Sequence, residues 1–246
     1  MTKTLILIPS RMAATRLPGK PLLKINNLSI VSHVFKRAEE ANIGEVVVAT
    51  DDQEILSDVI KNGGKAILTS KNHKTGTDRI FEAYEKLDIK NIDYILNLQG
   101  DEPDIDKDDI INLNNFMINQ DTEIGTLAAK IQDEKMLNNR NVVKVITDKK
   151  LSEINFPKAL NFTRDNLLET NQNIYHHIGI YSYKVNVLKK FVSLDQTNNE
   201  KINKLEQLRA LDNKLKINIA LAKFSPIGVD TEEDYLAIKK IMEYKI

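Results

Sequence analysis

The sequence predicts an α/β protein built on a mostly parallel central sheet that is flanked by helices. Through about residue 120, short apolar runs alternate with longer segments in which apolar residues recur at helical spacing. This order is typical of parallel α/β sheets, because the crossover between two parallel strands needs a connection of helical length. Polar and glycine-containing segments follow several apolar runs directly. Open α/β sheets bind ligands at these carboxyl ends of their strands.

Short apolar runs in the first half of the chain are the predicted strands. They are Leu5–Ile8, Val46–Ala49, Ala66–Leu68 and Tyr94–Leu98. Each run is rich in aliphatic residues and is followed by a proline or a polar residue, as expected of strands that are covered on both faces.

Amphipathic segments between these runs are the predicted helices. Ser29 is a candidate N-cap of the first helix, because a serine hydroxyl can accept a backbone N–H of the first turn. A second helix ends at Gly63–Gly64, since glycine accommodates the left-handed backbone that terminates helices. A third helix carries the apolar residues Ile80, Phe81, Tyr84 and Leu87.

The second half of the chain shows a less regular pattern. Its predicted strands are Gly125–Lys130, Val142–Thr147, Leu160–Thr163 and Ile178–Tyr183, and its predicted helices are Ile202–Leu211 and Tyr235–Met242. There is no low-complexity linker and no internal repeat. The simplest organisation is a single domain over residues 1–246, with a core of about 1–120 and 205–246 and a smaller β-rich lobe of about 121–204.

The composition excludes several classes of protein. The formal net charge is +0, from 35 basic and 35 acidic residues, which argues against broad nucleic-acid binding. The sequence has no cysteine, so disulfides, thiolate zinc sites and cysteine nucleophiles are excluded. No apolar run reaches the roughly 18 residues that a membrane-spanning helix needs, so no such helix is expected. The apolar start of the chain is too short for a signal peptide, which makes a cytoplasmic location the expectation.

The loop after the first predicted strand carries the cations Arg11, Arg16 and Lys20. Together they could neutralise the phosphates of a nucleotide and the charge that develops during phosphoryl transfer. Gly19 would let the backbone approach a ligand closely. The alternative is a solvated loop with scattered basic residues. The sequence has neither the glycine fingerprint of a dinucleotide oxidoreductase nor a Walker-type phosphate loop, so both of those classes are disfavoured.

Two acidic residues at predicted strand ends are candidate ligands of a divalent cation. Asp101 lies in Gln99–Pro103, directly after a buried run, where its carboxylate could hold magnesium. The alternative is a turn in which this side chain bonds its own backbone. Asp230 precedes Thr231, the candidate N-cap of the last helix, and could supply a second ligand. The helix dipole alone explains the acidic residues that follow the cap.

Polar residues of the second half give a weaker signal. His176 and His177 are adjacent in an extended segment, so their side chains point to opposite faces and only one could line a given pocket. No spacing near them supports a zinc site. The apolar stripe formed by Leu205 and Leu208 by itself places the polar residues of Glu206–Arg209 at a helix surface.

The motifs together resemble the 3-deoxy-manno-octulosonate (KDO) cytidylyltransferases, also called CMP-KDO synthetases, over essentially the whole chain. The matching segments are, in order, Pro9-x-Arg11, Thr15–Leu22, Val48–Asp51, Gly76–Arg79, Asn97–Pro103, His177–Tyr181, Leu205–Arg209 and Val229-Asp230-Thr231-x-x-Asp234. So many matches in the same order are hard to obtain by chance. On these motifs the chain is identified as a member of this family.

The resemblance implies a Rossmann-like nucleotidyltransferase fold and a homodimer formed through the β-rich lobe. It also implies that CTP and KDO give CMP-KDO and pyrophosphate with Mg²⁺, as a step of lipopolysaccharide biosynthesis. The implied catalytic residues are Arg11, Arg16, Lys20, Asp101 and Asp230, of which Asp101 and Asp230 hold the metal. The implied CTP-binding residues are Pro9, Ser10, Arg11, Lys20, Thr75, Gly76, Thr77, Gln99 and Asp101. The implied sugar-binding residues are Arg164, His177, Glu206 and Gln207.

The chain departs from the family pattern after Arg164. The family often continues with a small residue and Ile-Pro, whereas this chain has Asp165–Leu168. Because this loop borders the implied sugar site, a related acid such as 8-amino-KDO stays open as the acceptor. Ser10, Met12 and Ala14 are milder departures in the first loop.

Two further functions stay open at this point. A cytidylyltransferase for another acidic sugar, such as a sialic or pseudaminic acid, would share the first loop but should lack the Glu206–Arg209 pattern. A non-catalytic nucleotide-binding protein on the same scaffold would have no need of Lys20, Asp101 and Asp230 together.

Overall fold

The computed structural model describes residues 2–13, 16–165 and 173–244. Ala14 and Thr15 of the first loop, and Asn166–Leu168 of the departure after Arg164, lie outside the described residues. The chain divides into two compact units, which we call unit one (Met1–Ile110 and Pro226–Ile246) and unit two (Ile111–Ser225). The single-domain organisation and its boundaries remain predictions.

Unit one is an α/β unit in which strands and helices alternate. Its strands are β1 (Thr4–Ser10), β2 (Lys24–Ile25), β3 (Leu28–Ser29), β4 (Gly44–Thr50), β5 (Ala66–Leu68) and β6 (Tyr94–Asn97). Its helices are α1 (Ile30–Glu40), α2 (Gln53–Lys61), α3 (Gly76–Leu87) and the last helix of the chain, α9 (Glu232–Tyr244). A 3₁₀ turn covers Lys20–Leu22, and helix α4 (Lys107–Asn119) begins in unit one and ends in unit two.

The main sheet of unit one is parallel, as the sequence predicts. Its strands lie in the order β6-β1-β4-β5, and Leu7 at the centre of β1 is paired with Val47 on one side and Asn97 on the other. The predicted cap of α1 is confirmed, because the Ser29 hydroxyl accepts the N–H of Ser32 at 3.2 Å. The parallel order places the ends of β1 and β6 at one edge, where the polar loops follow.

Helix α9 packs on the early part of unit one through an apolar cluster. Ile238 of α9 and Val229 just before it contact Ile25 and Ile30, and all four side chains are 0% exposed. Burying a side chain of this size contributes about 1.5–3 kcal/mol relative to leaving it in water. The cluster therefore holds the segment around residue 230 beside the first loop.

Unit two is richer in strands. Its strands are β7 (Ile124–Ala129), β8 (Lys144–Thr147), β9 (Ala159–Thr163), β10 (Asn173–Lys184) and β11 (Ile217–Leu221), and its helices are α5 (Glu134–Asn138), α6 (Val185–Val192), α7 (Asn198–Asn203) and α8 (Gln207–Asp212). β7 pairs in parallel with β11 and antiparallel with β10, while β8 pairs antiparallel with both β10 and β9.

The single helix predicted over Ile202–Leu211 is wrong. The structure has two short helices there, because Lys204 takes a φ of 53° and caps α7 in the left-handed conformation. Ile202, which was expected in the apolar stripe, is 79% exposed. Among the residues that the structure describes, every helix is too short or too polar to cross a bilayer.

Candidate active site

A cavity of about 350 Å³ opens in unit one, where the loops after β1 and β6 meet the N-terminus of α3. Predicted residues from distant parts of the sequence line it: Pro9, Ser10, Arg11, Arg16, Lys20, Thr75, Gly76, Gln99, Asp101 and Asp230. The structure thus brings together the predicted catalytic, CTP-binding and metal-binding residues with one exception. Thr77 is buried in the first turn of α3 and lies outside the lining.

Two glycines shape the loops around this cavity. A Cβ atom at Gly100 would lie 2.9 Å from the backbone oxygen of Pro9, so a larger residue would push the loop after β6 away from the end of β1. Gly19 has a φ of 71°, which glycine adopts without the steric cost that other residues meet. Gly19 directly precedes the 3₁₀ turn that begins at Lys20, and the Lys20 side chain lines the cavity.

Lys20 lies between the two predicted metal ligands. Its Nζ is 2.7 Å from Oδ2 of Asp101 and 3.2 Å from Oδ1 of Asp230. Nη2 of Arg16 is 2.9 Å from the other carboxylate oxygen of Asp230. The side chains of Arg16 and Asp230 are 64% and 51% exposed. Because exposed ion pairs are weak, the contact between Arg16 and Asp230 can be exchanged for a contact with a charged ligand at little cost.

The backbone beside Asp230 is fixed from two directions. The N–H of Val229 donates to the carbonyl of Asp101 at 2.9 Å. The Asp234 carboxylate accepts the N–H groups of Asp230 and Thr231 at 3.1 and 2.9 Å, and the Thr231 hydroxyl accepts the N–H of Asp234 at 3.2 Å. This reciprocal cap of α9 confirms the prediction for Thr231. It holds Asp230 at the cavity.

The N-terminus of α3 also faces the cavity. Thr75 caps this helix of 12 residues by accepting the N–H of Asp78 at 3.1 Å. Thr75 and Gly76 both line the cavity. The backbone N–H groups and the dipole of a helix N-terminus favour anions, so this end of the cavity suits phosphate or another negatively charged group.

Burial and charge perturb a carboxyl group beside Asp101. Burial, and after it the negative charge of Asp101, raise the pKa of Glu102 to about 8. Oε2 of Glu102 is buried and has no hydrogen-bond partner in the described part of the chain. Because burial is the larger cause, the Glu102 carboxyl group is mostly protonated, and therefore neutral, near pH 7.

A second polar cluster lies in unit two around His177. This side chain is 9% exposed, and its Nε2 is 3.2 Å from the Thr126 hydroxyl and 3.0 Å from the Tyr181 hydroxyl. Burial, and then the charges of His176 and Arg164, lower the pKa of His177 to about 3. The imidazole is thus neutral near pH 7. His176 instead approaches the Ser225 hydroxyl, at 2.6 Å, as expected if only one of the two histidines enters a given site.

The expectation that Glu206–Arg209 lies at a helix surface is wrong. Gln207 and Arg209 are 9% and 3% exposed. Arg209 is buried because it forms a two-point ion pair with Glu200, at 2.8 and 2.6 Å. Glu206 is half-buried and lies 3.9 Å from Nη2 of Arg209.

The remaining predicted sugar-binding residue, Arg164, follows β9 in unit two. It is half-buried, and its Nη1 donates to the carbonyls of Arg140 and Asn141 at 3.1 and 3.3 Å. Two backbone carbonyl groups therefore hold its guanidinium.

Comparison with known proteins decides the family. The family model described as cytidylyltransferase matches residues 5–217. A 3-deoxy-manno-octulosonate cytidylyltransferase of Thermodesulfovibrio yellowstonii is 43% identical over 249 residues, which cover 97% of this chain and 98% of that protein. Another, of Afipia carboxidovorans, is 45% identical and covers 97% of this chain and 96% of that protein. The chain belongs to the 3-deoxy-manno-octulosonate cytidylyltransferase family.

A solved structure supports the same assignment. It is described as CMP:2-keto-3-deoxy-manno-octonic acid synthetase complexed with CTP, and it matches this cytidylyltransferase with a TM-score of 0.90 and 33% identity over 100% of both chains. A UDP-glucose pyrophosphorylase complexed with UDP-glucose matches with a TM-score of 0.73 at 16% identity, which shows the shared fold.

Sequence reasoning missed several residues that line the cavity of this cytidylyltransferase, among them His73 and Arg79. Arg79 is 3% exposed and pairs with Asp51 at 2.8 Å. It joins the end of β4 to α3, and the motifs that contain Asp51 and Arg79 were the only sequence signal for this contact. Nε2 of His73 contacts the Glu82 carboxylate, and no sequence signal pointed to this contact.

The Glu82 carboxylate beside this histidine stays ionised. Burial acts to raise its pKa, but hydrogen bonds from Lys86, His73 and the Ser70 N–H outweigh burial and lower the pKa of Glu82 to about 2. An ionised carboxylate only accepts hydrogen bonds, so Glu82 is the acceptor for the Lys86 ammonium and for the N–H of Ser70.

Proposed function

We propose that this cytidylyltransferase transfers CMP from CTP to the anomeric hydroxyl of KDO, with release of pyrophosphate, and that the reaction depends on Mg²⁺. The observation that carries the proposal is the cavity of unit one, where Lys20 and Arg16 meet Asp101 and Asp230. Relatives that are 43% and 45% identical to this chain are named 3-deoxy-manno-octulosonate cytidylyltransferase.

CTP would bind in this cavity through its phosphates. Arg11, Arg16 and Lys20 supply positive charge at one side, and the N-terminus of α3 supplies backbone N–H groups at another. During the transfer, negative charge builds up on the departing pyrophosphate. Lys20 and Arg16 would stabilise it, and fixed cations do so without reorganisation at the moment of reaction.

Asp101 and Asp230 are the residues that would hold Mg²⁺. They fit this role because one carboxylate oxygen of each residue contacts the same ammonium group, that of Lys20. The two carboxylates are therefore close enough to share one cation. Mg²⁺ is commonly bound by one or two carboxylates together with substrate phosphates. When bound, it supplies charge that stabilises the phosphoryl group during transfer.

Among the described residues there is no group of three or more histidine, cysteine or acidic side chains that could hold a metal. A site of two carboxylates agrees with this finding, because it is completed by the nucleotide. We therefore expect Mg²⁺ to bind weakly to the free protein and tightly with CTP.

The acceptor would be recognised by Arg164, His177, Glu206 and Gln207 of unit two. A guanidinium is suited to a sugar carboxylate. The neutral His177 imidazole and the half-buried Glu206 can exchange hydrogen bonds with sugar hydroxyl groups. Because the chain departs from the family pattern at Asp165–Leu168, 8-amino-KDO is the alternative acceptor.

The test is pyrophosphate release from CTP with KDO, 8-amino-KDO or a sialic acid as the acceptor, with Mg²⁺ and with EDTA. We expect release that needs KDO or its 8-amino analogue and stops with EDTA. Release only with a sialic acid would contradict the acceptor, and full activity in EDTA would contradict the metal. No release with any acceptor, together with retained CTP binding, would favour a non-catalytic nucleotide-binding protein.

We further propose that the active form is a cytoplasmic homodimer, formed through the β-rich lobe. The resemblance to the family supports this state. Sedimentation of the purified protein should give twice the chain mass of 28.0 kDa. A monomer mass at the concentration of the activity assay would contradict it.

A further inference from the structure

Lys144 begins strand β8 and is buried completely, with 0% of its surface exposed. Lysine is rarely buried to this extent unless its ammonium group is paired. Here Nζ donates to the backbone carbonyl oxygens of Asn139, Val142 and Arg164, each at 3.1 Å. Three acceptors match the three N–H bonds of an ammonium group. The side chain therefore links backbone segments inside unit two.

The segments that Lys144 links also contact each other directly. Two of the acceptors of Lys144 lie in the 139–142 loop, and the third is the carbonyl of Arg164. The Arg164 side chain returns to the same loop, because its Nη1 donates to the carbonyls of Arg140 and Asn141. Lys144 thus fixes the backbone of Arg164, and the loop that Lys144 also fixes sets the plane of the guanidinium.

The strands place this link beside the second polar cluster. Lys144 is paired with Thr163 of β9, directly before Arg164, and with His176 of β10. The N–H of His177 donates to the carbonyl of Val143 at 2.9 Å. The lysine therefore lies between the strand that leads to Arg164 and the strand that carries His177.

Burial of this ammonium is costly. Burial lowers the pKa of Lys144, which reflects the loss of water around the charge. An apolar side chain of similar length would fill the space without that cost, but it would leave three partly buried carbonyl groups without this donor. What the ammonium adds is a fixed geometry of the loop and of Arg164.

We propose that Lys144 is a positioning residue for the sugar acid: it holds the 139–142 loop and the backbone of Arg164 so that the Arg164 guanidinium is oriented toward the acceptor carboxylate. This inference rests on the proposed function, because that function gives Arg164 its role. Lys144 acts through Arg164 and does not itself contact the substrate.

The experiment is a double-mutant cycle on the full-length protein, read as KM for KDO, KM for CTP and kcat. Lys144→Met should raise the KM for KDO by about 10-fold or more, because a misplaced binding group loses most of its effect. The KM for CTP should not change. Arg164→Gln should give a similar rise, and the double variant should be no worse than Arg164→Gln alone, as expected when one residue acts through the other.

Thr147→Val is the matched control. Thr147 lies on the same strand, is 2% exposed, and its hydroxyl donates to the carbonyl of Lys149 at 2.7 Å. Its loss should lower stability without raising the KM for KDO. Lys144→Arg, which keeps a donor in place, should recover most of the affinity for KDO. Lys144→Gln replaces Lys144→Met in the cycle if the methionine variant does not fold.

The inference would be overturned if the rise in the KM for KDO in the double variant were the product of the rises in the two single variants. An unchanged KM for KDO in either single variant would also overturn it. In these cases CMP transfer to KDO by the unmodified protein still stands. If the unmodified protein releases no pyrophosphate with KDO or 8-amino-KDO, the proposed function fails, and this inference fails with it.

Discussion

Two ion pairs, one from each unit, hold their charges in opposite ways. In unit one, the Arg16 and Asp230 side chains are 64% and 51% exposed although they form an ion pair. In unit two, the Arg209 and Glu200 side chains are 4% and 5% exposed and bond at two points. An exposed pair contributes little to stability and can be exchanged for a ligand. A buried pair cannot be broken without leaving an uncompensated charge.

The two polar clusters differ in the same sense. The cavity of unit one concentrates charged side chains, because Lys20 contacts both Asp101 and Asp230, and Arg16 contacts Asp230. The cluster of unit two surrounds a neutral histidine, because the pKa of His177 is lowered to about 3. The comparison shows that the cavity of unit one is lined by paired charges, whereas the cluster around His177 is built from buried, neutral hydrogen-bond partners.

The largest effect is expected from Asp101→Asn in unit one. The amide keeps the shape of the side chain but removes the charge that would hold Mg²⁺, so kcat for pyrophosphate release should fall by about 10²–10³-fold. The midpoint of thermal unfolding should not fall, because the Asp101 side chain is partly exposed and its partner Lys20 keeps a contact with Asp230.

Asp195→Asn is the control for this change, since Asp195 is an exposed residue of a loop in unit two. It removes the same charge and should leave kcat as it is. Activity of Asp101→Asn within about threefold of the control would refute the metal role, for which a loss of about 10²-fold or more is the expectation.

The second effect is on stability and belongs to unit two. Arg209→Met should lower the free energy of unfolding by about 3–5 kcal/mol, because Glu200 would be left buried without its partner. Urea unfolding followed by circular dichroism measures this change. Lys184→Met is the control, since Lys184 pairs with Asp121, whose side chain is 82% exposed. That exposed pair should be worth at most about 1 kcal/mol, and similar losses in the two variants would contradict the comparison.

Local signals in the sequence predicted the architecture of unit one well. The caps at Ser29 and Thr231 could be predicted because a cap involves residues only three positions apart. The runs that form β1 and β6 could be predicted because buried parallel strands are continuously apolar. The proximity of Asp101 and Asp230 followed from the resemblance to the family. The predicted strand end before Asp230 is wrong, because β11 ends at Leu221 and irregular backbone leads from there to Asp230.

Features that depend on distant contacts could not be predicted. The amphipathic pattern assigned Arg209 to a surface, but its partner Glu200 lies on a separate helix. The left-handed backbone at Lys204 has no sequence signal, because only glycine and asparagine commonly mark that conformation. Lys144 was one lysine among many until the structure showed the three carbonyl groups around its Nζ.

The smallest expected effect tests the neutral histidine of unit two through the pH dependence of stability. The folded chain holds His177 unprotonated down to about pH 3, whereas in the unfolded chain it gains a proton near pH 6.5. The unfolded state therefore binds more protons between these values, and lowering the pH destabilises the fold. This single group should cost about 1 kcal/mol between pH 6.5 and about 5.5, and approach about 1.4 kcal/mol per pH unit below that.

His177→Gln should remove this part of the pH dependence, because glutamine does not titrate. The measurement is the free energy of urea unfolding of both proteins at several pH values, compared as slopes so that a constant loss in the variant cancels. Tyr181→Phe is the control, since it removes a hydroxyl next to His177 but keeps the imidazole, and it should retain the slope of the unmodified protein. Equal slopes with and without His177 would mean that the folded protein accepts a proton there. The neutral cluster of unit two would then differ less from the charged cavity of unit one than its burial indicates.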